Sequence, residues 1–141
     1  MGTQQILLIV LSVIIVGAAV AVGIQMFNAQ STSATRQAVA SDLQSFATMA
    51  ISYLQTPASL GGGNNSGTKT FDVTKTGKWL GFDTKTTADN DTFANDNATY
   101  VLTISTGSLV ITATYKSDGT TTSSTTIPTT ATTLADVTVT L

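Results

Sequence analysis

The sequence predicts an α+β protein: one long N-terminal helix, about residues 2–54, packed on a small antiparallel sheet. Three observations carry this. An uncharged apolar run opens the chain, an amphipathic stripe at helical spacing follows it, and the second half of the chain switches to alternation with a period of two. Four segments result: 1–28, a hydrophobic transmembrane or core-forming helix; 29–56, its amphipathic continuation; 57–69, a Gly/Asn/Ser linker; and 70–141, the sheet-bearing head.

From Ile6 to Ile24 the only polar side chain is Ser12, and the first charged side chain is Arg36. A run of about 20 apolar residues crosses the hydrocarbon core of a bilayer as a helix. Leu7 to Leu11 and Val13 to Val16 make the run apolar on every side, so it needs apolar surroundings all round. A signal peptide would carry basic residues first and a shorter run, and the pattern here continues past the point where one would end. Met1-Gly2 does not make a myristoylation motif, because position 6 is Ile where Ser or Thr is needed.

Beyond the run, Ala29, Ala34, Ala38, Ala40, Ala47 and Ala50 favour helix, and no proline occurs before Pro57. Val39, Leu43, Phe46, Ala50 and Tyr53 or Leu54 recur at steps of three and four, which is one helical face. Pro57 and Gly61-Gly62-Gly63 then stop the helix. A helix of this extent is roughly 75–80 Å long. Gly17, Ala18, Ala19, Ala21 and Gly23 form a small-residue patch. Such a patch lets helices approach closely in an apolar setting, and its glycines also loosen the helix locally.

In the head, Tyr100, Leu102 and Ile104 alternate with Val101, Thr103 and Ser105, and Leu109, Ile111, Ala113 and Tyr115 alternate with Val110, Thr112, Thr114 and Lys116. Thr106-Gly107 between them reads as a tight hairpin turn. Ala135–Leu141 reads as a last strand, and shorter strands are expected near Thr70–Thr74 and Lys78–Phe82. The Thr- and Ser-rich stretch 120–133, which contains Pro128, reads as a surface loop. Trp79 is expected in the core. One sheet face is apolar and the other Thr-covered, and the stripe Val39–Leu54 supplies the cover for the apolar face.

Composition narrows the function. Charged residues make up 10% of the chain and net charge is -2, so no nucleic-acid partner is indicated. There is no Cys, His or Glu. That removes thiolate nucleophiles, the usual zinc ligands and the commonest general base, so no enzyme, cofactor or catalytic residue is expected. The stretch from Gly62 to Thr70 has the look of a phosphate-cradling loop, but Lys69 and Thr70 fall one position late and no strand precedes them. Asp89, Asp91 and Asp96 gather oxygen ligands of the kind calcium takes. They miss the EF-hand order, since Phe93 and Ala94 stand where a ligand and Gly belong, and a solvated turn is the simpler reading. Asn64, Asn90 and Asn97 begin N-glycan acceptor tripeptides in expected loops.

The uncharged run Ile6–Ile24, the amphipathic continuation Val39–Leu54 and the strands from Tyr100 to Leu141 together resemble a mature type IV pilin. The resemblance spans the whole chain in layout. It implies a structural subunit that polymerises with itself, helices inside and heads outside, into an extracellular filament of the adhesion and motility class. It also implies a membrane-embedded precursor pool, an assembly machine and a prepilin peptidase. Assembly residues on this reading are Met1, Gln5, Leu8, Leu11, Ile15, Gly17 and Gly23. The chain departs from bacterial pilins in three places: Met1 replaces Phe, Gln5 replaces the Glu thought to pair with a neighbour's terminal amine, and Val22 stands where the family commonly has a helix-interrupting Pro. Archaeal pilins often lack that Glu and are often Thr-rich and glycosylated. A minor pilin or pseudopilin of a secretion or DNA-uptake machine shares the layout. A membrane-anchored binding module is the other alternative, and its helix should break near Phe27–Ser33.

Overall fold

The computed structural model describes residues 2–82, 84–87, 90–117 and 119–140. Two compact units divide the chain, Met1–Ala34 and Thr35–Leu141. A single helix, α1, runs from Gly2 to Gln55. Among the described residues of the first unit it is the only element.

In the second unit α1 buries Val39, Leu43, Phe46, Ala47, Ala50, Ile51, Tyr53 and Leu54. That is the stripe expected from the spacing. The helix ends because the following loop folds back to satisfy its last carbonyls. Thr56 N–H donates to Ser52 O at 3.0 Å, and Gly63 N–H donates to Tyr53 O at 2.9 Å. Gly63 lies against the Tyr53 ring; a Cβ there would come within 2.7 Å of Tyr53 Cε1 and 2.5 Å of Thr70 O. Only glycine lets the loop close this tightly. The linker is therefore ordered, with a short turn at Ala58–Leu60 and a small hairpin of β1 (Asn64–Asn65) and β2 (Thr68–Lys69). Ser66 and Gly67, both at positive φ, make its two-residue turn.

The strands expected near Thr70–Thr74 and Lys78–Phe82 are replaced by a helix, α2, from Val73 to Leu80. Asp72 caps its N-terminus, accepting from Lys75 N–H at 3.0 Å, and Gly81 at φ 83° closes its C-terminus. Val73, Thr74 and Thr76 are β-branched and Gly77 is a weak helix former, so propensity pointed to strand. Caps and the burial of Thr76, Gly77 and Leu80 outweigh it. Trp79 sits on the outer side of α2, 40% exposed, with one ring edge on Tyr53, and so is at the rim rather than in the core.

A six-stranded antiparallel sheet follows in simple meander order: β3 (Thr84–Thr87), β4 (Asn90–Ala94), β5 (Ala98–Ser105), β6 (Ser108–Tyr115), β7 (Thr122–Ile127) and β8 (Thr138–Thr140). The β5–β6 hairpin turns at Thr106-Gly107, both at positive φ, as expected. Ala98, Tyr100 and Leu102 of β5 and Leu109, Ile111, Ala113 and Tyr115 of β6 face the core. Ile104, at the hairpin end, is 37% exposed. The stretch 120–133 is not one long loop. Its first half is β7, whose inner face is Ser123, Thr125 and Ile127. The expected strand over 135–141 is shorter, because Leu134–Asp136 forms a tight turn before β8.

Phe46 is the hub of the core. Its ring meets Phe82, Phe93 and Tyr100 edge-on at 5.1, 5.9 and 5.2 Å. These contacts join α1 to β4, β5 and the segment after α2. Phe46→Ala is expected to lower unfolding free energy by about 3–5 kcal/mol. Chemical denaturation of the detergent-solubilised chain, followed by Trp79 fluorescence, measures it. Thr125 is fully buried and its Oγ1 has no hydrogen-bond partner. Exchanging that hydroxyl for a methyl removes a desolvation cost, so Thr125→Val should raise stability by about 1 kcal/mol in the same assay.

Candidate assembly surface

The surface that calls for a partner is the first unit itself. Its helix contains an 18-residue window of mean hydropathy 3.0, none of it buried. By length and composition this segment can cross a membrane. Leu8, Leu11 and Ile15 are 66%, 52% and 59% exposed. Gln5 is exposed, and Gly17 and Gly23 have open space where a Cβ would stand. Met1 lies outside the described residues. At about 100° per residue, Gln5, Leu8, Leu11, Ile15 and Gly23 share one side of the helix and Gly17 lies on the other. Ser12, the lone hydroxyl of the run, donates to Ile9 O at 2.8 Å, so it carries no unmet polar demand into apolar surroundings.

One local feature stands out on this surface. Leu7, Val10, Leu11 and Ile14 rim a shallow hollow of about 300 Å³. Their spacing, i, i+3, i+4 and i+7, is that of the four residues which accept one side chain of a facing helix. The sequence named Leu11 but not the hollow, which needs side-chain directions as well as spacing.

The second unit joins its helix and sheet through one polar cluster that sequence reasoning missed. Asp42, on α1, accepts from Tyr100 Oη at 2.6 Å and from Asn95 Nδ2 at 2.9 Å. Asn95 Oδ1 in turn accepts from the Asn97 and Ala98 N–H groups at 3.0 and 2.9 Å, which folds the β4–β5 turn. The Asn-rich turn thus serves to fasten the sheet to the helix. Asp42 lies among the stripe residues as the one acid of α1, which was the available signal.

The calcium candidates are described only in part. Asp96 is exposed in that turn, Asp91 belongs to β4, and Asp89 lies outside the described residues. Among the described residues no group of three His, Cys, Asp or Glu side chains could hold a metal ion. The glycan candidates differ in setting. Asn64 spends its Oδ1 on Gly67 N–H at 3.1 Å, Asn97 is half-buried, and Asn90 belongs to β4 rather than to a loop. Asp136 accepts from the Thr132 and Thr133 N–H groups at 2.9 and 3.1 Å. Those backbone bonds hold its carboxyl below the usual range.

No family model, no curated protein and no solved structure matches this chain. What stands is its architecture, a long apolar N-terminal helix continuing into the cover of an antiparallel sheet, which is pilin-like.

Burial, reinforced by the Asp42 carboxylate, pushes the Tyr100 phenol above its ordinary value. The unfolded chain then ionises first, near pH 10. The folded-state advantage of Tyr100 is complete below that pH and is lost as pH rises toward the folded value. Tyr53 is shifted upward too, again by burial first. Stability should fall above about pH 10. Tyr100→Phe should flatten that decline while lowering stability at neutral pH by about 1–2 kcal/mol through the lost hydrogen bond. Denaturation midpoints measured from pH 7 to 11.5 test both.

Proposed function

We propose that this chain is a structural subunit, not an enzyme, which polymerises through its N-terminal helix into a type IV pilus-like filament at the cell surface and is held in the membrane before assembly. The observation that carries the reading is the two-part character of α1: a fully exposed apolar surface over the first unit, and a buried stripe over the second. An anchor alone needs only the first part. Helix continues without a break through Phe27–Ser33, where an anchored binding module should have a hinge. That continuity favours the subunit.

The energetics are compatible. A helix with no charged side chain before Arg36 is stable in lipid. Among copies of itself it loses little, because lipid tails and Leu or Ile side chains are alike, and packing then selects the bundle. Repetition of one such contact gives a helical polymer rather than a closed ring when the rotation does not close.

Electron microscopy of sheared surface material from cells expressing the chain should show uniform thin fibres containing it. Leu11→Asp places a charge in the run at a cost of about 2.5–3.5 kcal/mol at a bilayer centre. It should reduce fibre yield more than tenfold while the Trp79 unfolding transition of the head stays in place. A chain that stays monomeric in surface preparations and forms no fibres under any shear or concentration contradicts the proposal.

A further inference from the structure

We infer that β8 is a self-pairing edge, a contact through which the head of one copy joins the head of a second, with their β8 strands antiparallel about a two-fold axis. This goes beyond the polymer reading and leans on it for strength: the contact is weak and transient between free copies and is reinforced where that reading packs copies densely. The sheet has two outer strands, β3 and β8. Outer strands carry a row of backbone N–H and C=O groups that can receive another strand, and proteins usually guard them with charges, bulges or a cover. The edge at β3 is guarded: its pairing with β4 is broken by a register shift between Lys85 and Thr87. The edge at β8 is not guarded. Thr138-Val139-Thr140 contains no charge and no proline, its pairing with β7 is regular, and Thr138 and Thr140 are exposed.

A groove of about 270 Å³ opens beside this edge, lined by Gln44 and Ala47 of α1 and by Leu134, Val137 and Val139. The groove is the space that a seventh strand would roof. Leu134 on its rim is 47% exposed. Free edge and groove specify the occupant as an extended strand with an apolar inner face and an uncharged outer one.

Two properties select a second copy of the same strand. Thr138-Val139-Thr140 reads the same in both directions. In an antiparallel pair centred on Val139, Val meets Val on the groove side and Thr138 meets Thr140 on the hydroxyl side, so both faces keep their character. A two-fold axis sets like charge against like, and this segment has none to oppose; Asp136, the nearest acid, is engaged by Thr132 and Thr133. The patch is also small. A three-residue strand and one groove fall short of the roughly 1,000 Å² that a free-standing partner interface requires. Copies displayed in dense array need less, because tethering raises their effective concentration. Paired copies run in opposite senses, so in a polymer the contact is lateral, between filaments.

The chain has no cysteine, so one introduced thiol reports the contact directly. Opposed residues of an antiparallel pair lie about 4.5–5.5 Å apart, within disulfide reach. Full-length Val139→Cys, in detergent under mild oxidation, should form disulfide dimers at least tenfold faster than Thr122→Cys, which is exposed on β7. Adding Thr138→Lys and Thr140→Lys should abolish the excess, and adding Thr138→Lys with Thr140→Asp should restore it, since the register places those two positions opposite. If Val139→Cys disturbs the fold, a mixture of Thr138→Cys and Thr140→Cys chains serves: mixed dimers should exceed both self-dimers severalfold. Equal rates at positions 139 and 122, indifference to the charge pattern, or statistical mixing overturns the inference. Fibre formation is scored separately by microscopy, so loss of dimers with fibres intact, or the reverse, tells the two proposals apart.

Discussion

Everything in the second unit depends on one face-to-face contact, the stripe Val39–Leu54 of α1 against the inner face of the sheet. An antiparallel sheet of this kind has one apolar face and cannot leave it wet. Among the described residues α1 is the long element that shares one core with Ala98, Tyr100, Leu102, Leu109, Ile111 and Ala113, burying Leu43 and Leu54 in return, and the shorter α2 adds cover over β4 and β5. Phe46 fixes how deeply the two layers interlock. Asp42, Tyr100 and Asn95 fix where they meet along the helix, since a charge-assisted hydrogen bond tolerates little sliding. Apolar area supplies the cohesion and the polar cluster sets the register.

This division explains which parts of the fold were legible in the sequence. The helix was readable because both of its halves are written in side-chain period: apolar on all sides, then apolar at steps of three and four. The β5–β6 hairpin was readable because strict alternation flanks a Thr-Gly turn. β7 was hidden because its inner face is Ser123, Thr125 and Ile127. Ser123 is buried as a partner for the Tyr115 hydroxyl at 2.5 Å, and a polar residue with a polar partner leaves no hydrophobic trace in the sequence. β4 was hidden for a similar reason, with Phe93 the one large apolar residue in Asn90–Ala94. α2 was misread because β-branched residues outvoted its caps, although Asp72 and Gly81 mark both of its ends.

The candidate assembly surface was legible to a different degree. That the first half of α1 needs apolar company follows from composition alone. Which side faces which neighbour does not, since an evenly apolar cylinder has no preferred side in a one-dimensional reading. The hollow at Leu7, Val10, Leu11 and Ile14 and the groove beside β8 emerge only when side chains have directions and strands have neighbours. The unguarded edge was legible in composition, as Thr and Val without charge, but only the strand order shows that β8 is last.

The absence of charge before Arg36 has a consequence of its own. Ionic strength acts on proteins through their charges, and acidity through their titrating groups. The side chains of the run from Ile6 to Ile24 offer neither a handle. A contact made by this surface, whether with lipid or with another such helix, has no side-chain charge for salt to screen and no side chain for acid to titrate. Such a joint yields to detergent and to heat, and in alkali the head, which is steadier while the buried Tyr100 phenol keeps its proton, would respond well before the helix did.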